Sequence, residues 1–119
     1  MMRSLFSGVS GLKSHQTRMD TIGNNIANSN TVGFKGSRTE FADIYASSFS
    51  SARNIAGIGT RVANISQQFG QGNITATNNP LDVAITGNGF YRMTDTSGSI
   101  NYSRNGQFQI DRNGYIVNS

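Results

Sequence analysis

The first 28 residues place apolar side chains at the spacing of one helix face. The apolar positions recur every seven residues, with two more on the same side: Leu5, Leu12, Met19 and Ile26, flanked by Val9 and Ile22. These six residues form a narrow apolar seam of coiled-coil type, and they predict a helix from about Ser4 to about Asn28. Ser4 is the predicted N-cap, whose hydroxyl accepts a backbone N–H of the first turn. The opposite face carries polar residues: Lys13, Ser14, Thr17, Arg18 and Thr21.

The apolar seam is imperfect in a way that predicts a marginally stable helix. Gln16 and Gly23 occupy positions where the repeat of Val9 requires apolar residues. Each glycine inside a helix costs about 1 kcal/mol relative to alanine, and Gly8 and Gly11 add to this cost. We therefore expect the helix to become fully ordered only when the seam meets a partner. Periodicity alone slightly favours the ordinary alternative, in which the seam packs on the chain's own β domain.

Residues 31–60 are predicted to be a connector. Asn28-Ser29-Asn30-Thr31 ends the helix because asparagine and serine side chains compete for backbone hydrogen bonds. A short amphipathic helical turn is predicted further on, from the spacing of Phe41, Ile44, Tyr45 and Phe49. The stretch from Ser47 to Gly59, rich in serine, alanine and glycine, is expected to be the most mobile part of the chain.

From Arg61 onward, apolar and polar residues alternate with the period of two that is typical of strands. The alternation comes in short runs with these apolar members: Ala63, Ile65 and Phe69; Ile74 and Ala76; Leu81, Val83 and Ile85; Phe90; Ile100 and Tyr102; Phe108 and Ile110; Ile116. Asn105-Gly106 and Asn113-Gly114 are two-residue hairpin signals. Each follows an arginine, and we interpret this small echo as two successive hairpin turns. Many short strands with turns between them indicate an antiparallel meander or a partial sandwich.

The predicted fold class is therefore α+β, with a long N-terminal amphipathic helix, an extended connector and a small antiparallel β domain. Residues 1–30 form the helix, residues 31–60 the connector, and residues 61–119 the start of the β domain. Only 35% of the residues are hydrophobic and 13% are charged, which suits turns and exposed backbone better than a thick core.

The charge pattern weakens a nucleic-acid-binding interpretation. The formal charge of +4 comes from ten Lys and Arg residues against six Asp and Glu, and the basic residues never form a run. A nucleic-acid-binding protein usually concentrates them on one face or helix. Tyr91-Arg92 and Tyr102-Ser103-Arg104 are also compatible with base stacking on a sheet, as in single-strand-binding proteins. A single-stranded nucleic-acid-binding β domain thus stays an alternative of a different class.

Catalytic and metal-binding patterns are missing from the sequence. There is no cysteine, and His15 is the one histidine, so thiol catalysis and cysteine-built metal sites are excluded within these residues. Gly87-Asn88-Gly89 is followed by a strand-like run and not by a helix, so it does not match a phosphate-binding loop. We expect no enzyme activity, no cofactor and no metal. No apolar stretch fits an ordinary signal peptide or a membrane-spanning helix, so no membrane insertion is expected.

Several separated motifs resemble the family of bacterial flagellar rod and hook proteins. The signature runs from Gly23 to Lys35 as GNNIANSNTVGFK, and the preceding Leu12, Met19, Asp20 and Ile22 also match. LDVAI-GNGF at residues 81–90 and SRNGQF at residues 103–108 are similar to the first β region of that family. The motifs occur in the family's order and cover nearly the whole chain. FADI at residues 41–44 and FGQG at residues 69–72 look most like the hook branch, and the distal rod branch is the alternative.

The resemblance implies a structural role in a helical tube. Terminal helices of the family pair and line the inner wall of the tube, which implies that the apolar seam contacts other helices. The seam interface would comprise Leu5, Val9, Leu12, Met19, Ile22 and Ile26. The implied signature and hinge residues are Asn24, Asn25, Ala27, Asn28, Gly33, Phe34 and Lys35.

The resemblance also implies partners and a location. Family members are longer and end in a second amphipathic helix, so we expect this chain to be an N-terminal portion that pairs with its missing C-terminal helix. The other implied partners are many copies of the chain itself, rod and hook–filament junction proteins, the flagellar export apparatus and the hook cap. The implied location is the extracellular hook, which the protein would reach without a cleaved signal peptide.

Overall fold

A computed structural model describes residues 1–44 and 57–119 of the chain. The structure divides into two compact units, each built from more than one stretch of the chain. Unit 1 contains Met1–Ala27 and Gly36–Gln68, and unit 2 contains Asn28–Lys35 and Phe69–Ser119. The described residues form one helix followed by small antiparallel sheets, which confirms the predicted α+β class.

Helix α1 spans Met2–Ala27, so the long N-terminal helix is confirmed and its end lies one residue before the predicted end. The predicted N-cap is wrong, because Ser4 lies inside the first turn. Its hydroxyl donates a hydrogen bond of 2.7 Å to the carbonyl oxygen of Met1. Beyond the helix, the backbone N–H of Thr31 donates to the carbonyl of Asn28 in a tight turn.

In unit 1, the helix is followed by a two-stranded antiparallel hairpin of β1 (Ser37–Asp43) and β2 (Thr60–Gln67). The register shifts between Glu40 and Phe41, which is the position of a β-bulge. The predicted helical turn is wrong at Phe41, because this residue lies in β1 and pairs with Val62. Tyr45, Phe49 and most of the stretch predicted to be mobile lie outside the described residues.

Unit 2 contains two further antiparallel hairpins that share a turn motif. One joins β3 (Tyr91–Thr94) to β4 (Ile100–Ser103), and the other joins β5 (Phe108–Ile110) to β6 (Ile116–Asn118). Each turn is an Asp-x-x-Gly segment, at residues 95–98 and 111–114, in which the glycine N–H donates to the aspartate carbonyl over 2.9 Å. Each aspartate side chain also accepts the N–H of the next residue. The sequence motif that the two hairpins share is therefore Asp-x-x-Gly, which recurs after 16 residues.

The Asn105-Gly106 segment is not a hairpin turn, so this prediction is wrong. Strands β4 and β5 on either side of it belong to different sheets. Gly106 is buried, and its carbonyl accepts the N–H of Val83 over 2.9 Å. The backbone of Val83 lies so close that a Cβ at position 106 would overlap the Val83 carbonyl. Glycine is required here for close packing of two backbone segments.

Two predicted strand runs do not form strands. Residues 68–90 contain no ladder, and Asp82 forms only an isolated antiparallel bridge with Gln107. Among the described residues no apolar side chain is buried, and the one buried polar side chain is that of Ser14. Units without an apolar core depend strongly on backbone hydrogen bonds and on close approaches such as the one at Gly106.

We predict that Gly106→Ala lowers the free energy of unfolding of unit 2 by about 1–3 kcal/mol, because the new methyl group displaces the Val83 backbone. Chemical denaturation, with hydrogen exchange at the Val83 amide as the readout, measures this loss of unfolding free energy. Gly72→Ala is the matched control, since a Cβ there meets no atom within 4 Å. Equal stability of the two variants would contradict the close packing at Gly106.

Candidate assembly surface

The apolar seam lies on the exposed face of α1. Leu5, Val9, Leu12, Met19 and Ile26 are 61–73% exposed, and Ile22 is 39% exposed. The alternative in which the seam packs on the chain's own β domain does not hold in the part of the chain that the structure describes. A continuous row of exposed apolar side chains along one helix is typical of an interaction surface.

A second stripe on α1 faces the β1–β2 hairpin instead. The helix residues that are at least half-buried are all small or polar: Ser7, Ser10, Gly11, Ser14, Thr17, Thr21 and Asn25. We call these seven residues the polar stripe. Ser7, Ser14 and Thr21 follow the seam residues Leu5, Leu12 and Met19 by two positions, which is about 200° around a helix. The polar stripe and the apolar seam are therefore on opposite faces.

The polar stripe contacts the hairpin through side-chain hydrogen bonds. The Ser14 hydroxyl donates to the carbonyl of Thr60 over 3.3 Å and accepts the Thr60 hydroxyl at the same distance. The Thr60 backbone N–H donates to the hydroxyl of Ser10 over 3.3 Å. Further along, the Thr39 hydroxyl donates to that of Thr21 over 2.9 Å. The helix is thus held to the hairpin at several levels along its length.

Asn25 forms the most regular of these contacts. Its amide Nδ2 donates to the Ser37 carbonyl over 2.7 Å, and its Oδ1 accepts the Ser37 N–H over 3.0 Å. The amide group therefore engages both backbone groups of Ser37, as a neighbouring strand does. A side chain without both a donor and an acceptor cannot replace it. The contact therefore depends on the amide side chain of Asn25.

The signature is divided between the two units. Asn24, Asn25 and Ala27 belong to unit 1, and Asn28, Gly33, Phe34 and Lys35 belong to unit 2. Gly33 has a positive φ of 77°, and a Cβ on it would lie 2.6 Å from the Asn105 nitrogen. Both observations exclude larger residues there. Lys35 donates from Nζ to the Gly70 carbonyl over 2.8 Å, and Phe34 is half-buried.

Arg104 organises the loop at residues 85–89 within unit 2. Its guanidinium donates to the carbonyl oxygens of Ile85 over 3.0 Å and of Gly87 over 2.6 Å, and also to that of Gly89. The Arg104 side chain is therefore engaged by protein carbonyls, and the sequence did not predict this role. The single-stranded nucleic-acid-binding alternative requires this arginine side chain to contact the nucleic acid.

Tyr91 is engaged in the same unit. Its ring meets Phe108 edge-on with centroids 5.1 Å apart, and its hydroxyl donates to the Val83 carbonyl over 2.8 Å. These contacts connect β3 to β5 and to the loop at Val83 within unit 2, because β3 and β5 belong to different sheets.

The described residues contain no group of three or more His, Cys, Asp or Glu side chains suited to a metal ion. His15 lies near Phe41, with ring centroids 6.0 Å apart. A shallow cavity of about 280 Å³ between α1 and β1 is lined by Arg18, Thr21, Ile22, Ser37, Arg38 and Thr39. No helix in the described part of the chain is both long and apolar enough to cross a membrane.

Two protein-family models match parts of the sequence. The flagella basal body rod protein family matches residues 5–35, and the flagellar hook protein FlgE/F/G D1 domain matches residues 84–119. The chain belongs to the family of flagellar rod and hook proteins.

Relatives among known proteins include flagellar hook and rod proteins. The flagellar hook protein FlgE of Salmonella typhimurium is 50% identical over 115 residues, which cover 97% of this chain and 27% of the relative. That of Escherichia coli is 51% identical over 110 residues, or 92% of this chain and 26% of the relative. The flagellar basal-body rod protein FlgG of Borreliella burgdorferi is 39% identical over 131 residues, or 100% of this chain and 49% of the relative. The chain spans about a quarter of the length of these hook proteins.

We predict that Asn25→Ala detaches the start of β1 from the helix. The variant leaves the N–H and carbonyl of Ser37 without the Asn25 amide, and such a loss costs about 1–3 kcal/mol. Hydrogen exchange at the Ser37 amide should become faster, and the helix content measured by circular dichroism should fall. Gln16→Ala, an exposed position on the same helix, is the control. Unchanged exchange at Ser37 in the Asn25→Ala variant would contradict the assignment.

Proposed function

We propose that the chain is the N-terminal, assembly-driving part of a flagellar hook subunit. The subunit assembles with many copies of itself into a hollow helical tube, which acts as a flexible joint that transmits torque from the rod to the filament. The role is structural and not enzymatic. The observation that carries the proposal is the exposed apolar seam on a helix whose opposite face is already occupied by the hairpin.

The exposed seam requires a partner with a similar apolar face. Burial of apolar surface contributes about 25 cal/mol per Å², so pairing of the seam with another helix gives a strong driving force for assembly. The partners are neighbouring copies of the chain and the C-terminal helix of the full-length protein. Subunits related by a rotation that does not close produce an open filament, as a tube requires.

The same property suits export. A helix that is only marginally stable before assembly stays unfolded enough to pass through a narrow channel, and it becomes ordered on joining the tube. We propose that the export apparatus delivers the subunit to the extracellular hook without a cleaved signal peptide. The hook cap, the rod proteins and the hook–filament junction proteins are the further partners.

The signature segment is proposed to connect the inner tube to the next layer. Gly33, Phe34 and Lys35 belong to unit 2, and the chain passes to unit 1 directly after Lys35. The proposed division into a helix at residues 1–30, a connector at residues 31–60 and a β domain at residues 61–119 places the hinge in this segment. Polar interfaces of modest size allow neighbouring subunits to slide as the hook bends.

The distal rod is the alternative within the family. The identities of 50–51% to two hook proteins exceed those of 39% and 41% to two rod proteins, which supports the hook. Electron microscopy of basal bodies from cells that lack this gene distinguishes the two. Rods that end without a hook support the proposal, and incomplete rods reassign the chain to the distal rod. Intact curved hooks would remove the flagellar function.

We predict that Leu12→Asp abolishes assembly and leaves unit 2 folded, because a carboxylate in the middle of the seam cannot be buried without a partner. Sedimentation and electron microscopy measure assembly of the full-length protein, and hydrogen exchange in β3 and β4 measures folding. Lys13→Asp is the control, because it changes the net charge more than Leu12→Asp does but lies at an exposed position outside the seam. Tube formation by the Leu12→Asp protein would contradict the hypothesis that the seam drives assembly.

A further inference from the structure

The β1–β2 hairpin packs on the polar stripe of α1 and not on the apolar seam, which is the more hydrophobic face of the helix. Apolar burial alone would place Leu12 and Met19 against the hairpin, since that gives the larger free-energy gain. The structure instead buries Ser14, the one buried polar side chain among the described residues, and leaves both apolar residues exposed. Some feature of the hairpin therefore opposes the apolar face.

The contacts show that the hairpin runs along the helix in a defined register. Along β1 from its first residue, Ser37 meets Asn25 and Thr39 meets Thr21. Thr60, the partner of Asp43 at the far end of the hairpin, meets Ser14. Strand β1 thus runs antiparallel to α1. Each of these contacts uses a hydroxyl or a backbone group of the hairpin.

On its helix side, the hairpin has polar groups that are hydrogen-bonded to the polar stripe, namely the hydroxyls of Thr39 and Thr60 and the backbone of Ser37. If the seam covered them, the hydroxyls of Thr39 and Thr60 and the backbone of Ser37 would lose their partners. Each unsatisfied buried polar group costs about 1–3 kcal/mol. The close approach also excludes large side chains, because a Cβ on Gly59 would lie only 3.3 Å from the Cα of Ser7.

We propose that the β1–β2 hairpin selects which face of α1 is available for assembly. The hairpin accepts the polar stripe through fixed hydrogen bonds and rejects the apolar seam through its own polar groups. Ser14 is the central positioning residue, and Thr39 and Thr60 are the groups that exclude leucine and methionine from this side. The assembly role of the free face rests on the proposed function, whereas the selection itself is a property of unit 1.

Thiol labelling of single-cysteine variants tests the selection directly, because the chain has no cysteine of its own. The Ser14→Cys variant reports on the polar stripe, and the Leu12→Cys variant reports on the seam. With a maleimide reagent on the 119-residue chain, we expect the thiol at position 14 to react roughly tenfold or more slowly, since its labelling requires local opening. Equal rates, or faster labelling at position 14, would overturn the proposal.

A second experiment separates face selection from simple stabilisation. The double substitution Thr39→Val and Thr60→Val keeps the shape of the hairpin and removes its hydroxyls. We expect the rates to move in opposite directions, with labelling at position 12 becoming severalfold slower as the seam docks inward and labelling at position 14 becoming faster. Loss of stability alone cannot slow the labelling of an exposed seam residue, so an unchanged or faster rate at position 12 would overturn the proposal.

These outcomes are independent of the proposed function. If cells that lack the gene keep intact hooks, the hook assignment fails while the labelling result still decides how the hairpin is docked. If hooks are lost but the two thiols react alike, the hook assignment stands and the face selection fails.

Discussion

The contact between the polar stripe of α1 and the β1–β2 hairpin is the constraint on which the rest of unit 1 depends. It consists of hydrogen bonds between hairpin groups and the side chains of Ser10, Ser14, Thr21 and Asn25, with no buried apolar side chain among the described residues. Because each such bond has a net worth of only about 0.5–1.5 kcal/mol, the contact contributes more to register than to stability. Its main consequence is that the apolar seam stays outside.

Unit 2 likewise has no buried apolar side chain among its described residues. Backbone packing at Gly33 and Gly106, the Arg104 guanidinium on three loop carbonyls, and short Asp-x-x-Gly hairpins replace a conventional core. Such units are stabilised by directional bonds that exclude most substitutions at a few positions. Exposed apolar side chains are then available for contacts with other molecules.

The sequence-based predictions succeeded where a residue pattern depends on local physics. The seven-residue repeat predicted α1, and the alternation beyond Arg61 predicted β2 to β6. They failed at Phe41, whose helix-like spacing was overridden by strand pairing with Val62. They failed again at Asn105-Gly106. This dipeptide is a local hairpin signal, but its backbone packs against Val83, a residue distant in sequence.

The sequence by itself determined the helix, its two opposite stripes and the family, because period and motif are properties of neighbouring residues. The repeat of Ser7, Ser14 and Thr21, two positions behind the seam, was available as a signal of a second contact face. Only the tertiary structure decided which stripe meets the hairpin. That choice depends on Thr39, Thr60 and Ser37, whose hydroxyls and backbone groups come to the helix from distant parts of the chain and must remain hydrogen-bonded when covered.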